Sequence, residues 1–280
     1  MSGVGIISSY SLNTFRNIDG VLIDVRSPKE YLQGHWPGAK NVPIFNNEER
    51  SLIGSAYKKK GREKAILLGL KIITPKLKVI KEILKSEIAQ SSKNNLKIYC
   101  WRGGLRSASI AQFALLIGLN PVLLSGGYKT YRTWSLKQFE KEWPLRLIGG
   151  KTGTGKTHLL NELAKMKISS IDLEGMANHK GSSFGGLGLP PQPSCEQYEN
   201  LIAEELFKAE QNLAKEIWLE AESANLGKCR IPSKLFIQMK SAPLFLIERS
   251  KDERIEMLVK EYSLHDKEKL KEATLRIRKR

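Results

Sequence analysis

Cys100-Trp101-Arg102-Gly103-Gly104-Leu105-Arg106-Ser107 lies between a short apolar segment, Leu96-Lys97-Ile98-Tyr99, and a helical pattern, Ser109-Ile110-Ala111-Gln112-Phe113-Ala114-Leu115-Leu116. A strand that enters a glycine loop and leaves it as a helix is the repeating unit of a parallel α/β sheet. The order predicts a thiol at a strand end, in a tight loop, beneath the N-terminus of a helix. Backbone N–H groups converge at such a point, and Arg102 and Arg106 bracket it. Both effects favour the thiolate, the reactive form of cysteine, so Cys100 is a candidate nucleophile. The same cradle suits an oxyanion held by Arg102, Gly103, Gly104, Arg106 and Ser107. The alternative is a buried structural cysteine, although an inert thiol needs neither flanking arginines nor a glycine pair.

The alternation of strand and helix signals continues on both sides of this run. Val21-Leu22-Ile23-Asp24-Val25 reads as a buried strand ending in the turn Arg26-Ser27-Pro28, and Lys29 to Leu32 starts a short helix. Gly34 to Ala39 is loop chemistry, and Asn41 to Ile44 is extended. From Leu77 to Ile88 a lysine-rich amphipathic helix carries Leu77, Ile80, Ile83, Leu84 and Ile88 on one face. Pro121 to Leu124 is a further strand, ending at Ser125-Gly126-Gly127-Tyr128. Arg132 to Pro144 reads as a join, and a second α/β pattern begins at Leu145. The fold class expected is therefore α/β with two open parallel-sheet domains, one over residues 1–138 and one over 139–280.

The second domain opens on Gly150-Lys151-Thr152-Gly153-Thr154-Gly155-Lys156-Thr157, which fits G-x-x-x-x-G-K-[ST] without a mismatch. A strand, Leu145 to Ile148, precedes it and a helix, His158 to Ala164, follows. Backbone N–H groups from Gly153 to Thr157 are expected to wrap a phosphate, with Lys156 as a point charge and the Thr157 hydroxyl placed for Mg²⁺. Gly150, Gly153, Thr154 and Gly155 shape that turn. Hydrolysis would further need an acid near the metal. Asp172, Glu220 and Glu222 each follow a predicted strand, and each taken singly is as readily a surface carboxylate. The polar loop from Asn178 to Gly186 holds His179, a candidate donor to phosphate or carrier of a proton; the alternative is an ordinary surface loop.

Composition bounds the partners. The hydrophobic fraction of 41% allows real cores. Three cysteines, Cys100, Cys195 and Cys229, are too few and too scattered for a disulfide framework or a structural zinc, which points to a reducing cytoplasm. The start, Met1-Ser2-Gly3-Val4-Gly5-Ile6-Ile7, lacks the basic region of a signal peptide, and no apolar stretch is long enough to span a membrane. The net charge is +17, and residues 1–143 hold 23 Lys+Arg against 10 Asp+Glu. Such asymmetry suits a polyanion. Lys58, Lys59, Lys60 and Arg62, beside Tyr57, suit RNA phosphates and bases. A basic surface kept for solubility is the alternative.

Taken together, these blocks resemble the bacterial tRNA 2-selenouridine synthases, which join a rhodanese-like domain to a P-loop NTPase-like domain. The matching residues are Asp24-Val25-Arg26-Ser27-Pro28-Lys29-Glu30-Tyr31, Gly34-His35-Trp36-Pro37-Gly38-Ala39-Lys40-Asn41, and Gly54 to Gly69. The Cys100 run, Gly126-Gly127-Tyr128-Lys129-Thr130-Tyr131-Arg132, the P-loop, Asp172-Leu173-Glu174-Gly175, and Glu220-Ala221-Glu222-Ser223 complete the set. The likeness covers nearly the whole chain. Family members run on beyond the point where this chain stops, at Arg276-Ile277-Arg278-Lys279-Arg280, so a C-terminal helical extension is expected to be missing. Cys195 stands where the family pattern leads to a polar residue.

The resemblance implies an enzyme that replaces sulfur by selenium in wobble 2-thiouridine of tRNA. Selenophosphate is the implied donor, and the implied intermediate is S-geranyl-2-thiouridine made from geranyl diphosphate. Alkylation turns a poor leaving group into a thiol and makes C2 electrophilic. Two anionic small substrates match two anion cradles: the P-loop for the diphosphate, with Mg²⁺, and the Cys100 loop for selenophosphate. The implied partners are tRNA and selenophosphate synthetase. Other readings are a rhodanese-type sulfurtransferase with a regulatory P-loop domain, a P-loop kinase or NTPase, and a tRNA-binding protein without catalysis.

Overall fold

A computed structural model describes residues 7–181 and 185–262, together with residues 268, 270, 271 and 275. The start at residues 1–6, Ser182, Ser183 and Phe184 of the polar loop, and the last five residues lie outside the described part. The chain divides into two compact units, Met1–Trp134 and Ser135–Arg280.

The first unit holds β1 (Ser9–Tyr10), β2 (Val21–Asp24), β3 (Lys40–Asn41), β4 (Asn95–Tyr99) and β5 (Asn120–Leu124) in one sheet. Their order is β1-β5-β4-β2-β3 and every pairing is parallel. The helices are α1 (Leu12–Asn17), α2 (Pro28–Gln33), α3 (Asn47–Lys60), α4 (Arg62–Ile73), α5 (Leu77–Ala89), α6 (Leu105–Leu116) and the larger part of α7 (Gly127–Gln138), whose last turn lies past Trp134. A parallel sheet is covered on both faces, and the alternation along β4 shows how. Leu96 and Ile98 enter one core with Ile23, Ile80, Leu84 and Ile110, while Tyr99 enters another with Phe15, Trp36, Tyr128 and Tyr131.

Local chemistry sets the boundaries. The turn after β2 starts α2 through a capping box: Ser27 Oγ accepts from Glu30 N–H, and Glu30 Oε2 accepts from Ser27 N–H, with Pro28 in the first turn. In α5, Ile80 and Leu84 are buried but Ile83 is 38% exposed, at the flank of the stripe. The segment expected as a join is helical as far as Gln138. Tyr128 and Tyr131, one turn apart in α7, are both fully buried, and that anchor outweighs the polar residues around them.

The second unit contains β6 (Leu145–Gly149), β7 (Ser170–Ile171), β8 (Ile217–Glu220), β9 (Asn225–Leu226), β10 (Cys229–Arg230) and β11 (Leu244–Leu246). Its main sheet runs β11-β6-β8-β7, again parallel throughout, and β9 and β10 form a small antiparallel pair. Its helices are α8 (Lys156–Lys165), α9 (Leu173–Ala177), α10 (Cys195–Gln211), α11 (Ser233–Ser241) and α12 (Lys251–Tyr262). The α/β class with two open parallel sheets is as the sequence leads one to expect. Among the described residues no helix is long and apolar enough to cross a membrane.

Candidate functional site

Two places carry chemistry, one in each unit. In the first, Cys100 leaves β4 at the sheet's C-terminal edge, and Gly104 caps α6. The thiol is 2% exposed and belongs to the apolar core. Its Sγ lies 3.2 Å from Ser107 Oγ, and that hydroxyl donates to Gly104 O at 3.1 Å. Ser107 thus has two possible acceptors: the carbonyl while the thiol keeps its proton, and the sulfur once it is lost.

The sequence points to a reactive thiol in an oxyanion cradle; in the structure that sulfur is covered. The loop is drawn down onto α7, where Tyr128 N–H donates to Cys100 O at 2.8 Å and Lys129 N–H to Trp101 O at 3.0 Å. Gly127, at φ +60°, permits that approach, because a Cβ there would lie 2.3 Å from Cys100 O and 2.5 Å from Gly103 N. Gly103 and Gly104 are exposed on the cover of the loop, as is Arg102. Arg106 is engaged elsewhere: its Nη1 and Nη2 donate to the Glu30 carboxylate at 2.7 and 3.2 Å. Burial works against the Glu30 charge, but Arg106 and the Ser27 N–H outweigh it and hold that carboxyl below its usual range.

The arginine beneath the loop is one that sequence reasoning placed only in a turn. Arg26 is 1% exposed, pairs with the fully buried Asp24 at 2.6 Å, and lies 3.9 Å over the Tyr128 ring and 5.8 Å from that of Trp101. Lys58, Lys59 and Lys60 form the exposed last turn of α3, and the exposed Arg62 opens α4.

In the second unit the P-loop follows β6 and feeds α8, whose N-cap is Gly155. It lines a cleft of about 560 Å³ with Asp172, Glu174, Lys180, Gly181 and Glu222. Lys156 Nζ donates to Gly150 O at 3.1 Å and stands 3.9 Å from Glu222 Oε1. Thr157 Oγ1 donates to Glu220 Oε1 at 2.8 Å, while Glu220 Oε2 is buried without a partner among the described residues. Burial and then the neighbouring Glu174 and Asp172 push the Glu220 carboxyl up to about 8; burial and Glu222 push Glu174 up to about 7. Glu222 is raised as well, burial again the first cause.

This donor set fits a hard divalent cation. Mg²⁺ takes one or two protein oxygens and completes its shell with water and phosphate oxygens, so Thr157 and Glu220 would suffice. Among the described residues no group of three or more His, Cys, Asp or Glu is placed to hold a metal by itself. Asp172 also caps α9, accepting from Gly175 N–H at 2.6 Å. His179 lies apart from the cleft lining: its ring packs where a Cβ on Gly185 or Gly227 would fall, its Nδ1 is buried without a partner among the described residues, and burial lowers its pKa.

Sequence reasoning missed what α12 does. Arg254 Nε donates to Thr152 O at 2.9 Å, and a Cβ on Gly153 would lie 2.8 Å from Arg254 O. Met257 and Leu258 complete the cleft wall. Nothing in Lys251-Asp252-Glu253-Arg254 distinguishes it from a solvated helix start.

Residues 143–277 match the family model of the tRNA 2-selenouridine synthase AAA domain, and residues 11–133 match the rhodanese-like domain. A tRNA 2-selenouridine synthase from Marinobacter nauticus is 39% identical over 255 residues, covering 90% of this chain and 67% of its own. Those from Sulfurovum sp. and Nitrosomonas europaea are 36% and 35% identical, covering 90% and 88% of this chain and 68% and 64% of theirs. The chain spans about two thirds of the length of the curated relatives it matches. A crystal structure of an N-terminal domain from Clostridium difficile 630, 36% identical, covers 45% of this chain and 98% of that one at a TM-score of 0.43.

Proposed function

The chain belongs to the tRNA 2-selenouridine synthase family, and we propose that it replaces sulfur by selenium in wobble 2-thiouridine of tRNA. Selenophosphate is the donor, delivered by selenophosphate synthetase, and S-geranyl-2-thiouridine, made from geranyl diphosphate, is the intermediate. The work is done in the cytoplasm. The observation that carries this reading is the Lys156, Thr157 and Glu220 arrangement, a phosphate cradle with an acid held ready behind it.

In the first step the 2-thio sulfur attacks the first carbon of the geranyl chain. The C–S bond forms, the C–O bond breaks, and pyrophosphate leaves with the electron pair. Lys156 and the N–H groups from Gly153 to Thr157 stabilise the departing charge. A Mg²⁺ ion on Thr157 and Glu220 would supply further charge neutralisation.

In the second step Arg102 and the N–H groups of Gly103 and Gly104 hold the selenophosphate oxygens. Once the cover of the loop yields, Cys100 attacks phosphorus: the S–P bond forms as the P–Se bond breaks, with Ser107 donating to the sulfur beforehand. The released selenide adds to C2, the C2–S bond breaks, and geranylthiolate leaves and takes up a proton. Water then cleaves S–P, giving phosphate and free Cys100. No oxidant is consumed. Lys58, Lys59, Lys60 and Arg62 contact RNA phosphates.

Mass spectrometry of nucleosides from 2-thiouridine tRNA tests the division of labour. Lys156→Ala is expected to abolish geranylation yet still convert pre-geranylated tRNA to the selenouridine product. Cys100→Ala is expected to do the reverse. Equal loss of both steps in both variants would refute the assignment.

A further inference from the structure

β11 lies parallel beside β6, so the chain that leaves it emerges at the same sheet edge as the P-loop. Ile247 N–H donates to Gly149 O at 2.8 Å, and two residues later Arg249 reaches the far end of the loop. Gly155, the N-cap of α8, has φ +90°. A Cβ built there would lie 3.4 Å from Met257 Cε and 3.7 Å from Arg249 Nη2. The guanidinium is therefore a neighbour of the N–H groups expected to wrap a phosphate. Its backbone is fixed on both sides, because a capping box closes directly after it: Ser250 N–H donates to Glu253 Oε2 at 2.9 Å, and Glu253 N–H donates to Ser250 Oγ at 3.3 Å.

The side chain keeps its charge available. Arg249 is exposed, its acceptor among the described residues is the Met257 sulfur, 3.7 Å from Nη1, and it forms no ion pair among them. Glu253, an acid that Arg249 does influence, is bonded to Ser250 instead. A thioether is a weak acceptor, whereas a guanidinium has five N–H donors to place. The cleft offers an anion less positive charge than its lysines suggest, since Lys151, Lys156 and Lys180 share its lining with Asp172, Glu174 and Glu222. The P-loop N–H groups suit one phosphate. A diphosphate brings a second, and the planar fork of an arginine takes two oxygens of such a group at once.

We propose that Arg249 binds the second phosphate group of a diphosphate whose first is held by the P-loop. The inference rests on the functional reading above and adds the residue that tells a diphosphate from a phosphate. Arg249 turns from the Met257 sulfur to the phosphate oxygens as the ligand enters. When the C–O bond of geranyl diphosphate breaks, the electron pair stays on the departing oxygen, and the guanidinium holds the charge that gathers on the pyrophosphate. Arg254 differs in kind: it acts on the loop backbone through Thr152 O and is a positioning residue.

The test uses the full chain in magnesium buffer, with pyrophosphate and inorganic phosphate as probes in calorimetry. Geranylation of 2-thiouridine tRNA is followed in parallel by mass spectrometry. Arg249→Ala is expected to weaken pyrophosphate binding at least tenfold and phosphate binding less than twofold. Arg249→Lys, which keeps the charge and loses the fork, is expected to fall between wild type and Arg249→Ala. Arg254→Ala is expected to weaken both anions alike, since it loosens the loop that holds the first phosphate. At saturating geranyl diphosphate, kcat for geranylation is expected to fall at least tenfold in Arg249→Ala. Unchanged pyrophosphate affinity in Arg249→Ala, or equal loss for both anions, overturns the assignment. Selective loss of pyrophosphate binding, in a wild-type protein that geranylates no tRNA, overturns the functional reading and leaves Arg249 as a diphosphate ligand.

Discussion

Thr157 Oγ1 donates to Glu220 Oε1 at 2.8 Å, and the second oxygen of that fully buried carboxylate has no partner among the described residues. A buried acceptor without a donor costs about 1–3 kcal/mol, so the site stores an unmet demand for a proton or a cation. Its surroundings meet that demand with a proton, since burial and the acids Glu174 and Asp172 raise Glu220 to about 8.

The sign of the pH effect follows. Glu220 and Glu174 are raised to about 8 and 7 from the ordinary 4.5, so between those values the native state binds more protons than the unfolded state. Their contribution is fully present below about pH 4.5 and is lost as pH rises through 7 and 8. Urea denaturation in a chelating buffer is expected to show stability falling from pH 5 to pH 8.5. Glu220→Gln is expected to flatten that slope.

Arg254 holds the P-loop backbone from α12 through Thr152 O. The contact is exposed, so Arg254→Ala is expected to cost less than about 1 kcal/mol of stability. Pyrophosphate affinity, measured by calorimetry, is expected to fall roughly three- to tenfold as the loop loses its clamp.

Asp24→Asn leaves the Arg26 guanidinium buried without its charge partner. A loss of about 3–5 kcal/mol is expected in denaturant unfolding. Asp24→Asn combined with Arg26→Met is expected to recover part of it, because no uncompensated charge remains.

Gly127→Ala would force a Cβ against Cys100 O at φ +60°. A cost of about 1–3 kcal/mol is expected, and the loop over the sulfur is expected to lift. Alkylation mapped by mass spectrometry reads this directly. In wild type the exposed Cys195 is expected to react well before the buried Cys100, and in the variant Cys100 is expected to gain on it.

The P-loop was legible because its glycines, lysine and threonine are dictated by the local turn and sit within eight consecutive residues. The strand, loop and helix at Cys100 were legible for the same reason. His179 was not: its loop composition resembles that of a phosphate site, but the ring packs beside Gly227, far along the chain. Nor was Arg106, whose partner Glu30 lies 76 residues away.

Read alone, the amino-acid order determined the α/β class, the P-loop and the family, since each is written in short-range spacing of apolar residues and glycines. Only the tertiary structure decided that the sulfur is covered, that Glu220 rather than Asp172 receives the Thr157 hydroxyl, and that α12 clamps the nucleotide-type turn. Those outcomes depend on which remote surfaces are pressed together and desolvated, and burial acts on every group brought near, whatever its distance along the chain.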